Sequence, residues 1–112
     1  MLYISNFKVK EGKFSEFQAW IKKNEKTFTE LAEKAGWKYL GTFFYALGTG
    51  GEAHGCFLHE FSKYGDIDKS RGLFGDAKDE KLSRELMALL TSDSIPDRIL
   101  RPIGEARVYK FQ

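Results

Sequence analysis

The sequence predicts an α+β protein with the element order β-α-β-β-α-β: one antiparallel sheet with helices on one of its faces. Three observations lead there. A long stretch with apolar residues at helical spacing follows a β-rich opening. Two β-rich runs then lie on either side of a glycine-rich break. A leucine-striped helix precedes a last β-rich run.

Residues 2–9 are dominated by β-formers and show no helical period, so they read as the first strand. Glu11-Gly12-Lys13 is a turn. Phe14, Phe17, Ile21, Phe28, Leu31 and Ala35 then recur at steps that put them on one helical face, with Asn24 the single polar exception. Trp20 and Ala32 widen that stripe, while Lys22, Lys23, Glu25, Lys26, Glu30 and Lys34 fill the side assigned to solvent. Gly36 stands where a left-handed cap is expected. Residues 37–47 read as a strand, 48–52 as a loop, and 53–62 as a strand paired with the previous one in a hairpin. A short helix is expected from Asp66 to about Phe74. Residues 77–91 form the second long helix, with Leu82, Leu86, Leu89 and Leu90 on one face. Pro96 and Pro102 oppose regular structure, so 92–102 is expected to be irregular. Residues 105–111 are the last strand. This order is the ferredoxin-like split βαβ arrangement.

At 112 residues, a single domain spanning 1–112 is expected. Lys and Arg total 18 against 16 Asp and Glu, so no concentrated basic charge points to nucleic acid. No apolar run approaches the ~20 residues that cross a bilayer, and the opening shows no charged leader before an apolar stretch. Cys56 is the single cysteine and cannot form an intrachain disulfide, so a cytoplasmic location is expected. The 10 Phe, 5 Tyr and 2 Trp exceed what one small interior needs, which directs some apolar surface to a partner or a cavity.

The strands do not alternate cleanly. Simple alternation puts Trp37, Tyr39, Phe43 and Tyr45 on one face and Leu40, Phe44 and Ala46 on the other. In the next strand Phe57 and Phe61 oppose Cys56 and Leu58. A sheet apolar on both faces needs two covers. Helices supply one, and a second copy of the chain is the simplest supply of the other. A homodimer is therefore expected.

The segment Phe7-Lys8-Val9-Lys10-Glu11-Gly12-Lys13-Phe14-Ser15-Glu16-Phe17 resembles the opening of dimeric α/β-barrel proteins, with Glu11 where proline often stands. His59-Glu60-Phe61, followed by Ser62 to Asp66, resembles their acid–aromatic–turn–helix segment, with Ser62 replacing an aromatic. Leu89-Leu90-Thr91-Ser92 and Arg98-Ile99-Leu100-Arg101-Pro102 look like the C-terminal stretch of the NIPSNAP-like branch, near the antibiotic-biosynthesis-monooxygenase-like proteins. The resemblance implies a homodimer whose two sheets form a barrel, with a cavity in each subunit between sheet and helices. Members include cofactor-free monooxygenases of aromatic compounds, haem-degrading enzymes and haem peroxidases.

Tested against those chemistries, Asn6 matches a first-strand Asn of the haem-degrading proteins, but residues 64–112 contain no histidine. His54 and His59 are five apart and face opposite ways in an unbroken strand, so no shared metal and no cofactor is expected. Glu60, in a strand otherwise of Phe, Leu, Cys and His, is placed to exchange a proton with a ligand, and His59 is the other candidate base. The structural alternative for Glu60 is pairing with Arg107 or Lys110. Tyr3, Tyr39, Tyr45 and Asn6, with Phe57 and Phe61, are the expected ligand pocket. Residues 48–51 lack the Lys and Ser/Thr ending of a phosphate loop, and no serine sits in a nucleophile-elbow context. The expected function is binding of a small apolar or aromatic molecule, with cofactor-independent oxygenation by Glu60 or His59 as its enzymatic form. The alternatives are a non-catalytic stress-response or interaction dimer, and haem binding through His54 or His59.

Overall fold

The computed structural model describes residues 1–45, 54–63, 80–92, 96–101 and 103. The short helix expected at 66–74, the loop at 48–52 and the strand expected at 105–111 lie outside the described residues. Six elements follow in order: β1 (Leu2–Lys8), α1 (Phe14–Lys34), β2 (Lys38–Phe44), β3 (His54–Glu60), α2 (Glu80–Leu89) and β4 (Arg98–Leu100). The sheet has the order β2-β3-β1-β4, with every neighbouring pair antiparallel.

α1 buries the stripe that its spacing predicts: Phe17, Trp20, Ile21, Phe28, Leu31 and Ala32. Asn24, the polar exception, donates its side-chain amide to the Trp20 carbonyl at 2.8 Å, which satisfies it without leaving the helix surface. The helix stops where Gly36 turns left-handed (φ 76°). Gly36 N–H then bonds to the Glu33 carbonyl (3.0 Å) and Trp37 N–H to the Ala32 carbonyl (2.8 Å), closing the last turn as a Schellman motif.

The core forms where α1 and α2 meet one face of the sheet. Phe7, Val9 and Phe57 from the strands pack with Phe17, Trp20, Phe28 and Leu31 of α1, and Leu82, Leu86, Leu89 and Leu90 complete the cluster. Trp20 Nε1–H donates to Glu85 Oε2 at 2.8 Å and ties the two helices together. A smaller cluster of Ala32, Trp37 and Phe61 extends the core toward the start of β1.

Two expectations need correction. The segment 92–102 is not wholly irregular: Arg98–Leu100 pairs with Leu2–Ile4 as β4. Pro96 precedes the strand and does not interrupt it, because a missing N–H outside the paired residues breaks no ladder bond. The facing of β2 also differs from simple alternation. Tyr39 pairs with His59 but Gly41 pairs with Leu58, so Leu40 is an extra residue in a β-bulge. Beyond the bulge, Thr42 and Phe44 share the helix-side face with Tyr39, and Phe43 and Tyr45 turn to the opposite face. Gly41 sits at φ 139°, and a Cβ there would lie 3.2 Å from the Phe43 ring. No helix among the described residues is long and apolar enough to cross a membrane.

Candidate functional site

The expected site residues divide between the two faces of the sheet. On the helix side, His59 is 1% exposed and lies beside the Trp37 and Tyr39 rings (6.0 and 5.4 Å). Burial lowers its pKa to about 4, so it is neutral at physiological pH. Phe57 packs against Phe7 and Phe28, and Phe61 stacks on Trp37 at 4.7 Å with the rings 14° apart. Tyr39 joins this face edge-on to Phe28. These four residues build packed core.

The opposite face carries the even-numbered residues of β1 and β3: Asn6, Cys56 and Glu60 share it. Tyr45 O–H donates to Asn6 Oδ1 at 2.7 Å, and Asn6 Nδ2–H donates to the Pro96 carbonyl at 3.1 Å. Burial, then the Cys56 thiol, holds the Tyr45 phenol up at about 12. Burial also pushes the Cys56 thiol up. Tyr3, the register partner of His59, belongs to the helix-side face: it lays its ring on Trp37 (5.4 Å), and its O–H reaches Asp97 Oδ2 at 2.5 Å. Burial and that carboxylate raise the Tyr3 phenol to about 12.

Glu60 and His59 are consecutive residues of a regular strand, so they face opposite sides and one ligand within a subunit meets only one of them. His54 and His59 likewise occupy opposite faces, as their spacing predicts. Among the described residues, no group of three His, Cys, Asp or Glu side chains is placed to hold a metal ion.

Among the described residues, a cleft lies elsewhere, between the first half of α1 and the end of β2. Its volume is about 220 Å³. Phe7, Phe14, Phe17, Ile21 and Phe44 form its apolar lining, Phe43 borders it between Thr42 and Phe44, and Gln18, Lys22, Glu25 and Thr42 supply the polar groups. Phe14 and Phe44 touch at 4.9 Å, and Phe7 and Phe17 also at 4.9 Å. Thr42 and Phe44 line it from the helix-side face of β2, on which the bulge places them. Behind Thr42, its hydroxyl and that of Tyr39 are 2.5 Å apart. Burial raises the Tyr39 phenol to about 12; the Thr42 hydrogen bond works against that and the nearby Glu25 carboxylate adds to it. Sequence reasoning missed this site because it placed the pocket at Tyr3, Asn6, Tyr39, Tyr45, Phe57 and Phe61 on the strands; Lys22 and Glu25 are exposed, as expected, at the edge of the cleft. The available signal was the run Phe14, Phe17, Gln18, Ile21, Lys22, Glu25, a second stripe beside the core stripe at the same 3–4 spacing.

The described elements and their strand order define an α+β protein of ferredoxin-like arrangement. Solved structures of NIPSNAP-like domain proteins share this fold. An uncharacterized NIPSNAP-like domain protein from Burkholderia xenovorans superposes with a TM-score of 0.66 at 12% identity, over 95% of this chain and 87% of that one. A NIPSNAP domain protein from the same organism gives 0.66 at 11% identity, over 94% and 98%. An Agrobacterium tumefaciens protein gives 0.67 at 17% identity, over 92% and 94%. At these identities the likeness is one of fold. No protein-family model matches the sequence, and no curated protein matches it.

Proposed function

We propose that this chain binds a small apolar or aromatic molecule in the α1–β2 cleft, and that it does so as a homodimer. The observation that carries the binding reading is the cleft itself: rings and an aliphatic side chain along its length, with a few polar groups gathered among them. Its volume is below the ~300–1,000 Å³ of drug-sized pockets, so the ligand is small. The test is a titration of isotope-labelled protein with ethylbenzene, followed by amide chemical shifts. Shifts confined to Phe14, Ile21, Thr42 and Phe44 are expected; unperturbed amides at these positions overturn the reading.

The homodimer rests on the outer face of the sheet. Phe43 and Leu100 are 43% and 49% exposed there, beside half-buried Leu2, Ile4 and Leu58. Both known helices cover the other face. Tyr45 and Asn6 already bond within the chain, so a second sheet can cover them without stranding those groups.

A second reading, a non-catalytic dimer, is favoured by the packing around Tyr39, Phe57 and Phe61. Rings of the chain itself fill the space a ligand was expected to occupy there. Oxygenation through His59 is the weakest form of the binding reading, because its imidazole is buried in the aromatic core and is not part of the cleft lining. Glu60 lies on the opposite face, where it would serve a ligand only between subunits.

A further inference from the structure

The cleft has two chemically different ends. Phe14 against Phe44 marks one end, at the start of α1. The other lies toward the Phe28–Tyr39 contact (5.7 Å), one helical turn past Glu25. The α1 residues of the lining run from Phe14 to Glu25, about 16 Å of helix axis. Apolar rings dominate the first end, whereas Lys22, Glu25 and Thr42 supply charge and a hydroxyl at the second.

Thr42 is the informative group. It shares one short hydrogen bond with Tyr39, and each partner carries one hydroxyl hydrogen. One hydrogen closes the contact. With Tyr39 donating, the Thr42 hydrogen is left to serve an acceptor in the cleft that Thr42 lines. Tyr39 keeps its proton across the physiological range, so the pair always has this second hydrogen.

Lys22 and Glu25 lie three residues apart on one helix face and oppose each other in sign. A net anion gains from Lys22 and loses to Glu25; a net cation does the reverse. Either also loses hydration on entering the cleft. A neutral hydroxyl has no such conflict, because it donates to the Glu25 carboxylate while accepting from Thr42 or Lys22.

We propose that the α1–β2 cleft selects apolar or aromatic molecules bearing one neutral hydroxyl, such as phenols and alcohols, with Thr42, Glu25 and Lys22 reading the hydroxyl. Thr42 is the specificity-determining residue, positioned by Tyr39 and by the Leu40–Gly41 bulge. This inference rests on the reading of the cleft as the ligand site.

The test is calorimetric titration of the intact protein with 4-ethylphenol, ethylbenzene, 4-ethylbenzoate and phenethylamine. The phenol is expected to bind about tenfold tighter than ethylbenzene, a factor that ordinary hydrogen bonds supply, and both ions more weakly than the phenol. Thr42→Val, which keeps the β-branched shape, should bring phenol and ethylbenzene within about threefold of each other without weakening ethylbenzene. Thr42→Ser should keep the phenol preference, which separates loss of the hydroxyl from loss of fold. Equal affinities for phenol and ethylbenzene, tighter binding of either ion, or an unchanged preference in Thr42→Val overturns the selection while leaving the cleft as a ligand site. Failure of all four probes to bind removes the cleft reading, and this inference with it.

Discussion

His59 has its ring inside an aromatic cage, and burial there lowers its pKa to about 4 from an ordinary 6.5. Between those two values the unfolded chain binds a proton that the folded chain does not. Stability is therefore complete above pH 6.5 and falls as the pH drops toward 4, by about 3 kcal/mol in total. Urea unfolding across pH 4–8 should show that loss, and a His59 imidazole titrating above pH 6 by NMR would contradict it. Phe28 is the most enclosed phenylalanine among the described residues, 1% exposed and in contact with Trp20, Tyr39 and Phe57. Phe28→Ala should cost about 3–5 kcal/mol in denaturant unfolding, because the rigid rings around it cannot close the space. Residue-level burial was legible in the sequence wherever helical period reported it, as at Phe17, Phe28, Leu82 and Leu86. The exposure of Lys22 and Glu25 was legible too; that they border a cleft was not, because this depends on β2 packing beside the same edge of α1.

At the scale of elements, β2 and β4 depart furthest from what spacing alone predicts. Alternation counted from Trp37 puts Phe43 on the same face as Tyr39, whereas the Leu40–Gly41 bulge reverses every later residue. A one-residue insertion has no periodic signature; only Gly41, held at φ 139°, marks it in the sequence. Gly41→Ala should cost roughly 1–3 kcal/mol and should also abolish ethylbenzene shifts at Thr42 and Phe44, since the bulge aims both into the cleft. A variant of unchanged stability and unchanged shifts would show that the bulge is incidental. β4 was hidden because three residues between prolines are too few to show alternation. Its attachment to β1 depends on side chains: Tyr3 to Asp97 and Asn6 to the Pro96 carbonyl. Tyr3→Phe should therefore raise amide exchange at Ile99 and Leu100 several-fold while leaving β3 amides protected. Equal exchange in variant and parent would assign β4 to its backbone ladder alone.

For the whole molecule, the order of the first five elements, β-α-β-β-α, follows from hydrophobic period and turn chemistry, whereas the sheet order β2-β3-β1-β4 comes from the structure, and the fold is shared with NIPSNAP-like structures. The proposed homodimer rests on the outer sheet face, where Ile4 and Leu58 are register partners at the centre. Leu58→Glu leaves the helix-side core untouched and should shift sedimentation at micromolar concentration from dimer to monomer with little change in secondary structure. The proposed homodimer and its ligand meet in one experiment: native mass spectrometry of the protein as purified, with 4-ethylphenol added in a parallel sample. A dimer is predicted, carrying one small molecule per subunit after the addition. A monomer with no added mass in either sample would contradict the proposal.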